Sequence, residues 1–497
     1  MKQNLIVCTS DVHGTLSAYS YLNGLLTSNG LSRYKSAITT IRNHNDIIVV
    51  DNGDSLQGSP LMTYALNNHV KPNPLATVFN DIDIDYVNLG NHDFNYGEEV
   101  LLHYLEDLNA ICLTSNILYK GKPIGQTILH RINNQNIALV GLCTDYIPNW
   151  EKPEHIKNFT FLDPIDTLKQ EIAKVSADQI IVFYHGGLER DLNDGHPTEK
   201  LTGENVGYEI LMTEGVDALF SGHQHRSIAQ HIHNKPVLQC ALNAQEYMVL
   251  DIDTMQPKLI AMKAHPVDES IENLIKPFDD QTQIWLDQEL GQIQSHDFKI
   301  KDAFQARLHK HPYVSFINQV QKEITQADIC GTALFNIALG LNKVIHYRDL
   351  VFNYAYPNSL IVKQMTGKIL RAYLEQCADY FMVKDNQIIV NPLFDEPKPQ
   401  HFNYDMLDGI DYTLKISNPI GQRVVELKFE GKDVKDEDVF TVAMNNYRAA
   451  GGGNFHMIPE CPTVMEIQRD MTEIMAEYIQ DKKIVTVDHH DNIHIII

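Results

Sequence analysis

The segment Gly90-Asn91-His92-Asp93 directly follows the apolar run 86–89, which has the length of a β-strand. Glycine lets the backbone approach a neighbour closely, and an amide and an imidazole can together contact a metal ion and its substrate. Taken alone, the segment could equally be the entry to a helix, with Asn91 or Asp93 as its cap. The choice between these readings depends on the other strand-like runs.

Four further apolar runs in the first half of the chain also end at polar residues. The runs 5–9, 47–50, 180–184 and 218–221 lead to Asp11 and His13, to Asp54, to His185, and to His223 and His225, respectively. Sites in open α/β sheets assemble outside the carboxyl ends of the strands. We therefore expect these residues to converge, although they are far apart in sequence.

The residue types in this set predict a catalytic metal centre. Asp, Asn and His are ligands for Mn²⁺, Zn²⁺, Co²⁺ or Fe, and the absence of cysteine among them argues against a closed thiolate site. Any one motif alone is weak evidence, and only the joint pattern is persuasive. Seven ligands suit two ions that share one carboxylate, an arrangement about 3.5–4 Å across that promotes in-line displacement at phosphorus. The sequence thus predicts hydrolysis of a phosphate ester.

The same pattern predicts the domain organisation. Residues 1–266 alternate β-branched runs, such as 137–142, with helix-like segments, which indicates an α/β domain whose strands are covered on both faces. Residues 267–292 place apolar side chains at helical spacing around Pro277 and predict a helical linker. Residues 293–497 mix helix-like stretches (313–327 and 367–380) with strand-like ones (412–417, 424–429 and 439–444). They predict a second, α+β domain.

The charge balance excludes several partners. The 497 residues include 64 acidic and 40 basic side chains, a formal net charge of −24. Such a surface repels the backbone of polymeric nucleic acid and anionic membranes, so we expect neither as a partner. A small anionic substrate can bind only where metal ions or a few cations reverse the field.

Two further observations concern the compartment. The apolar run from Leu5 to Cys8 is too short for the core of a secretory signal, and no run approaches the ~18 apolar residues of a membrane span. The seven cysteines are scattered without a Cys-x-x-Cys pair, which favours reduced, mostly buried thiols. We expect a cytoplasmic protein, and we find no signal for its oligomeric state.

With these motifs the chain resembles the calcineurin-like metallophosphoesterases of the 5'-nucleotidase family. The resemblance implies a four-layer α/β/β/α sandwich plus a C-terminal α+β substrate-binding domain, joined by a helical linker. It implies that one metal is held by Asp11, His13, Asp54 and His225, and the other by Asp54, Asn91, His185 and His223. It also implies that His92 stabilises the transition state or protonates the leaving oxygen. Mn²⁺ or Zn²⁺ would be the expected ions, with Co²⁺ or Fe as alternatives.

One departure from the family pattern points to a branch. The 5'-nucleotidases usually read Gly-Asn-His-Glu-Phe-Asp, with the last Asp supporting the catalytic histidine, whereas this chain has Asn95 at that place. An amide cannot orient an imidazolium with a full charge. The 2',3'-cyclic-nucleotide 2'-phosphodiesterase/3'-nucleotidase branch is more similar, since it has Asn there and shares the segments 402–405, 408–412 and 445–448. His92 and Asn95 are accordingly the predicted catalytic residues.

The resemblance also implies a nucleotide-binding site in the second domain. Tyr356 and Tyr447, the latter in a predicted loop before the glycine run, would sandwich the nucleobase, each stack contributing about 1–3 kcal/mol. Asn358 would make a polar contact to the base. Without the resemblance, tyrosines near turns more often pack their rings and hydrate their hydroxyls. The run from Gly451 to Gly453 lacks a following Lys-Ser/Thr, so we do not interpret it as a phosphate-binding P-loop.

Three functions remain open on the sequence. The first is hydrolysis of 2',3'-cyclic nucleotides to 3'-nucleotides and then to nucleoside and phosphate. The second is a 5'-nucleotidase or UDP-sugar hydrolase with the same metal site. The third is a non-catalytic nucleotide-binding sensor, against which the seven competent ligand side chains argue.

Overall fold

The computed structural model describes residues 2–133, 135–198, 201–337, 339–354, 356, 358–395, 399–467 and 469–497. The chain forms two compact units, Met1–Ile284 and Trp285–Ile497. The division lies within the segment 267–292 that the sequence predicts as a linker. In that segment the helix Glu269–Leu286 contains Pro277, and Leu290, which fits the helical spacing, lies instead in the strand Glu289–Ile293.

The first unit contains two six-stranded mixed sheets. The strands of one sheet lie in the order Gln256–Ala261, Glu246–Asp251, Asn4–Thr9, Asp46–Asp51, Tyr86–Val87 and Ile111–Cys112. Those of the other lie in the order Ile228–Ile232, Lys235–Gln239, Ala218–Ser221, Gln179–His185, Gln135–Cys143 and Ile128–Ile132. Within each sheet the strands that precede the predicted ligands are parallel to one another. Their carboxyl ends therefore lie at one edge of each sheet.

Side chains from the facing sides of the two sheets form an inner core. Ile6 and Ile48 of the first sheet lie in one buried cluster with Leu139 and Phe183 of the second. Because side chains alternate across a strand, the intervening residues point to the opposite faces. Each sheet is therefore apolar on both faces, as its continuous hydrophobic strands predict.

Helices cover the two outer faces of this pair of sheets. On one side Val7 packs in a cluster with Tyr34 and Phe79, and on the other Val182 packs with Leu168. The result is the predicted four-layer α/β/β/α sandwich. The helices of the unit are Leu31–His44, Pro60–Asn67, Pro74–Ile82, Gly97–Asp107, Pro153–Ile156, Pro164–Lys174, Gly207–Met212 and Glu269–Leu286. A small sheet comprises Lys122–Pro123, Ile117–Tyr119 and Phe159–Phe161.

The second unit has an α+β fold built on a five-stranded sheet. Its strands lie in the order Asp405–Asp408, Ile329–Ala333, Val439–Asn445, Leu360–Thr366 and Thr463–Ile467. The smaller sheets are Lys432–Asp433, Val424–Phe429, Asp411–Lys415 and Ile493–Ile496; Val344–His346, Glu289–Ile293 and Ile484–Val485; and the hairpin Phe381–Lys384 and Gln387–Val390. The helices are Ala303–Leu308, Pro312–Thr325, Tyr347–Asn353, Gly367–Ala378, Asn446–Ala449 and Met471–Lys482. One buried core, which includes Phe316 and Leu374, joins these helices to the sheet.

All seven cysteines are unpaired, and six of them are buried. None of the helices in the described part of the chain combines the length and the hydropathy that crossing a bilayer demands.

Candidate metal centre

The predicted ligands come from both sheets of the first unit. Asp11, His13, Asp54 and Asn91 follow strands of one sheet, and His185, His223 and His225 end or follow strands of the other. The structure brings all seven to one place, as the convergence argument predicts. That they bind metal remains a prediction.

One group of ligand atoms belongs to Asp11, His13 and His225, which lie within 4.8 Å of one another. The Nε2 atoms of His13 and His225 are 3.2 Å apart, and Nε2 of His225 is 3.3 Å from Oδ1 of Asp11. Nitrogens and a carboxylate oxygen that point to one spot are the donor set of a divalent transition-metal ion.

A second group consists of Asp54, His185 and His223, also within 4.8 Å of one another. Nε2 of His185 lies 3.1 Å from Oδ2 of Asp54 and 3.9 Å from Oδ1 of Asp11, so the two groups adjoin. Nδ1 of His223 lies 2.8 Å from Oδ1 of Asn91, which brings that amide into the second group. The two groups divide the predicted ligands as the resemblance implies, except that Asp54 belongs here to the second group alone, and their binding of metal stays a prediction.

Two buried atoms indicate that these residues fit metal ions. Oδ2 of Asp54 and Nε2 of His185 lie 3.1 Å apart and are buried, but neither makes a well-aligned hydrogen bond among the described residues. Buried polar atoms are normally satisfied, so such a pair calls for a ligand. Backbone carbonyls face the other ring nitrogens, with Gln57 O 3.0 Å from Nδ1 of His13 and Asn52 O 2.6 Å from Nδ1 of His185. This leaves each Nε2 free to bind a cation.

The electrostatics of the centre also call for positive charge. Burial opposes ionisation of Asp11, but His185 and His225 outweigh it and lower its pKa to about 2. The pKa of Asp54 is likewise held well below its usual range, because His185 and His92 outweigh burial. The carboxylates in turn raise the pKa of His185 to about 10 against the effect of its burial. A bound cation would replace the proton that His185 otherwise holds between the two acids.

The backbone is strained at most of the predicted ligands. Five of the seven have positive φ, a conformation that residues other than glycine rarely adopt. They are Asp11 (54°), His13 (49°), Asp54 (56°), His223 (68°) and His225 (57°). Such strain typically concentrates at functional sites, at about 1–3 kcal/mol per residue. Space is also limited here, because a Cβ on Gly222 would lie 2.5 Å from Oγ of Ser10 and 2.9 Å from Oδ2 of Asp11.

Asp93 joins the loops that follow the strands Asp46–Asp51 and Tyr86–Val87 of the first sheet. Its Oδ1 accepts hydrogen bonds from the backbone N–H groups of Ser55 and Leu56, and its Oδ2 accepts from those of Asp54 and Gly90. The four distances are 2.8–3.0 Å. Asp93 is thus a buried support for the Asp54 loop, and it is not a helix cap alone.

His92 lies beside this centre and contacts Asn95. Its backbone N–H donates to Oδ1 of Asp54 at 2.7 Å, and its ring centroid is 5.5 Å from that of His13. Nδ1 of His92 is 2.8 Å from Oδ1 of Asn95, which leaves Nε2 available to a reacting group. The structure thus brings the two predicted catalytic residues into contact.

Several supporting residues are not identified from the sequence. Oγ of Ser10 donates to Oδ2 of Asp11, and Oε1 of Glu204 is 3.1 Å from Nε2 of His223. The Trp150 ring stacks on that of His223 at 5.4 Å. Glu151, next to Trp150, accepts a hydrogen bond from Asn95. Only Ser10, which neighbours a predicted ligand, has a signal in the sequence.

In the second unit, Tyr356 and Tyr447 are both well exposed, at 48% and 41%. Both rings make edge contacts with the ring of Phe402, at centroid distances of 6.2 and 6.0 Å. Tyr447 lies in the one-turn helix Asn446–Ala449, not in a loop as predicted, because Asn445 caps that turn. Asn358 is only 8% exposed, so little of its side chain can meet a ligand.

The one-turn helix that carries Tyr447 rests on a buried ion pair. Nε of Arg448 donates to Oδ2 of Asp405 at 2.5 Å, and both side chains are almost fully buried. The Arg448 guanidinium also lies 3.8 Å above the ring of Phe455. The hydroxyl of Tyr373 donates to the same Asp405 oxygen at 2.6 Å. The pair fixes the backbone from which Tyr447 projects.

This fold, with paired carboxylate and imidazole groups at the edges of two sheets, defines a metallophosphoesterase. Known protein families indicate the same class. The family model described as "Calcineurin-like phosphoesterase" matches residues 5–227, and that described as "5'-nucleotidase, C-terminal domain" matches residues 290–460. Family members of the first type use a dinuclear divalent metal centre.

Individual proteins are similar along the whole chain. A crystal structure of a putative 5'-nucleotidase from Staphylococcus aureus, in complex with alpha-ketoglutarate, is 33% identical, with a TM-score of 0.87 over 99% of this chain and 100% of that one. A 2',3'-cyclic-nucleotide 2'-phosphodiesterase/3'-nucleotidase from Salmonella typhimurium is 26% identical over 90% of this chain and 81% of its own length. The trifunctional nucleotide phosphoesterase protein YfkN from Bacillus subtilis is 24% identical over 98% of this chain, which spans 38% of the length of that protein.

The chain belongs to the family that joins a calcineurin-like phosphoesterase domain to a 5'-nucleotidase C-terminal domain. It is therefore a metal-dependent phosphoric ester hydrolase. The resemblance read from the sequence and the fold class it implies are both confirmed.

Proposed function

We propose that this protein hydrolyses 2',3'-cyclic nucleotides to 3'-nucleotides, and these to nucleoside and phosphate. The observation that carries the proposal is the pair of ligand groups that meet around the unsatisfied atoms of Asp54 and His185. The choice of substrate is supported by Asn95, by the segments shared with the cyclic-nucleotide branch, and by the name of the Salmonella relative.

Two divalent cations would be held by Asp11, His13, Asp54 and His225 and by Asp54, Asn91, His185 and His223. Manganese or zinc suits this mixture of oxygen and nitrogen ligands, with cobalt or iron as alternatives. When bound, such ions supply the Lewis acidity that activates water and neutralises the phosphoryl oxygens.

His92 would act on the leaving oxygen. Its Nδ1 faces Asn95, so a proton destined for the departing ribose oxygen must come from Nε2. In the two-stage reaction the first proton transfer would open the cyclic diester, and the second would release the nucleoside. His92 would serve both steps without a change of partner at Nδ1.

The second unit would bind the nucleoside. Two exposed tyrosine rings that share an edge contact with Phe402 are suited to stacking on a nucleobase without selecting one base. With a net charge of −24 the substrate would be a small nucleotide, and polymeric nucleic acid would be excluded. The seven unpaired cysteines favour a reducing compartment such as the cytoplasm.

A substrate panel tests this proposal. Purified protein supplemented with Mn²⁺ should release 3'-AMP and then adenosine from 2',3'-cyclic AMP, and phosphate from 3'-AMP. It should leave 5'-AMP and a UDP-sugar largely intact. Preference for 5'-AMP would favour the 5'-nucleotidase alternative, which the description of the Staphylococcus aureus protein supports. Unchanged hydrolysis by an Asp54→Ala variant would disprove catalysis at this centre.

A further inference from the structure

A carboxylate outside the predicted site lies behind the catalytic pair. Oε2 of Glu151 accepts a hydrogen bond from Nδ2 of Asn95 at 2.6 Å, and Oδ1 of Asn95 in turn is 2.8 Å from Nδ1 of His92. The side chain of Glu151 is only 7% exposed. Three side chains therefore form a continuous chain from the reacting imidazole to a buried negative charge.

This chain of hydrogen bonds has a defined direction. An ionised carboxylate can only accept, so the Asn95 amide must turn its NH₂ group toward Glu151 and its oxygen toward His92. An amide oxygen can only accept, so His92 must carry a hydrogen on Nδ1. Glu151 thus selects both the amide orientation of Asn95 and the tautomer of His92.

Other contacts hold Glu151 in place. Its Oε1 accepts from the backbone N–H of Lys152 at 2.8 Å and is 2.9 Å from Nδ1 of His155. The preceding residue, Trp150, stacks on the ring of the predicted ligand His223 with the planes 24° apart. The segment that supplies the carboxylate is therefore attached to the metal centre by a second, independent contact.

We infer that Glu151 is a positioning residue for proton transfer, and that it acts on His92 through Asn95. Asn95 is neutral, and the charged Glu151 carboxylate behind it holds the amide in the orientation that keeps the hydrogen of His92 on Nδ1 and leaves Nε2 for the leaving oxygen. Hydrogen bonds to a charged group are about twice as strong as neutral ones. The inference deepens the role proposed above for His92 and rests on it.

Leaving groups of different quality test this role. A poor leaving group needs a proton from His92, whereas 4-nitrophenolate departs without one. We expect Glu151→Gln to lower kcat for phenyl phosphate and 3'-AMP about 10-fold or more, which is part of the roughly 10²–10⁴-fold that general acid catalysis contributes. The kcat for 4-nitrophenyl phosphate should change less than about 3-fold, and KM should stay the same. An equal loss on both leaving groups would overturn the inference, because it would indicate damage to the metal centre.

An exchange of the two side chains tests the network itself. Asn95→Asp alone places two carboxylates in contact and should also impair release of poor leaving groups. The double variant Asn95→Asp/Glu151→Gln restores one acid and one amide. Its new glutamine amide can donate to the new aspartate carboxylate, so this variant should recover most of the lost kcat. Additive losses in the double variant would contradict the proposed chain.

Two controls separate this inference from the proposed substrate. Glu98→Gln alters another carboxylate that accepts from an asparagine amide, Nδ2 of Asn158 at 2.7 Å, and should leave both leaving groups unaffected. Nitrogen NMR of histidine-labelled protein should show His92 protonated at Nδ1 in the wild type, and a mixture of tautomers in Glu151→Gln. A wild type inactive on nucleotides would refute the substrate proposal alone, while an unchanged tautomer in Glu151→Gln would refute the positioning role.

Discussion

Replacing Asp93 with Asn should destabilise the first unit strongly. The carboxylate accepts four backbone N–H groups, two on each oxygen, from Asp54, Ser55, Leu56 and Gly90. An asparagine keeps one of these oxygens, so two buried donors would face an NH₂ group. At about 1–3 kcal/mol for each unsatisfied buried donor, the loss in the free energy of unfolding should be about 2–6 kcal/mol. Metal affinity should fall as well, because the Asp54 loop loses its support.

Urea unfolding in EDTA measures this loss. The chain has two tryptophans, Trp150 in the first unit and Trp285 in the second, so a Trp285→Phe background makes the fluorescence report on the first unit. Asp217→Asn is a matched control, since that carboxylate accepts one backbone N–H, from Ile180 at 2.8 Å, and an amide oxygen can replace it. A loss below about 1 kcal/mol for Asp93→Asn would show that the four contacts do not hold the loops together.

Three further predictions concern the metal ions, a buried acid and a buried ion pair. Removing metal with EDTA should abolish hydrolysis and lower the unfolding midpoint, and Mn²⁺ should restore both; activity that survives exhaustive chelation would contradict the metal centre. Burial raises the pKa of Asp51 to about 7, opposed by hydrogen bonds from hydroxyls. Its folded pKa thus exceeds the unfolded value, and stability falls as pH rises through about 7. Asp51→Asn should therefore gain more stability over wild type at about pH 8 than at about pH 5 in urea unfolding, and an equal difference at both pH values would refute this. Arg448→Ala should cost about 3–5 kcal/mol by leaving Asp405 buried without a partner, whereas Arg469→Ala, from an exposed pair, should cost less than about 1 kcal/mol. Urea unfolding in a Trp150→Phe background, followed by the fluorescence of Trp285 in the second unit, measures both losses.

The sequence indicates which ligand-type residues lie together for a simple physical reason. Strands are visible as apolar runs, and ligand-type residues directly follow them, as Asp11 follows the strand Asn4–Thr9. Because parallel strands end at the same edge, the residues that follow the strands of one sheet are expected to lie together. The split into two sheets is different. Both alternating faces of a strand such as Asn4–Thr9 are apolar, so periodicity does not tell which neighbour it pairs with.

Supporting residues are harder to find from sequence. Glu151 is one of 64 acidic residues and stands in a loop without a motif, and only the fold reveals that it meets Asn95. The one-turn helix with Tyr447 is too short to show a period, which is why the sequence suggests a loop there. The sequence does show that Asn95 cannot supply charge, but the carboxylate that compensates lies 56 positions away.

The origin of the predicted ligands on two separate sheets would link metal uptake to the completion of folding. A chain in which only the second sheet has formed offers three imidazoles, and a chain in which only the first has formed offers a single imidazole with the carboxylates and the amide. Neither arrangement makes up a full ligand group. Metal ions would therefore bind late and connect the two sheets, so that the metal-bound protein would resist local opening of either sheet. Newly made chains would remain inert toward phosphate esters until both halves of the sandwich had come together.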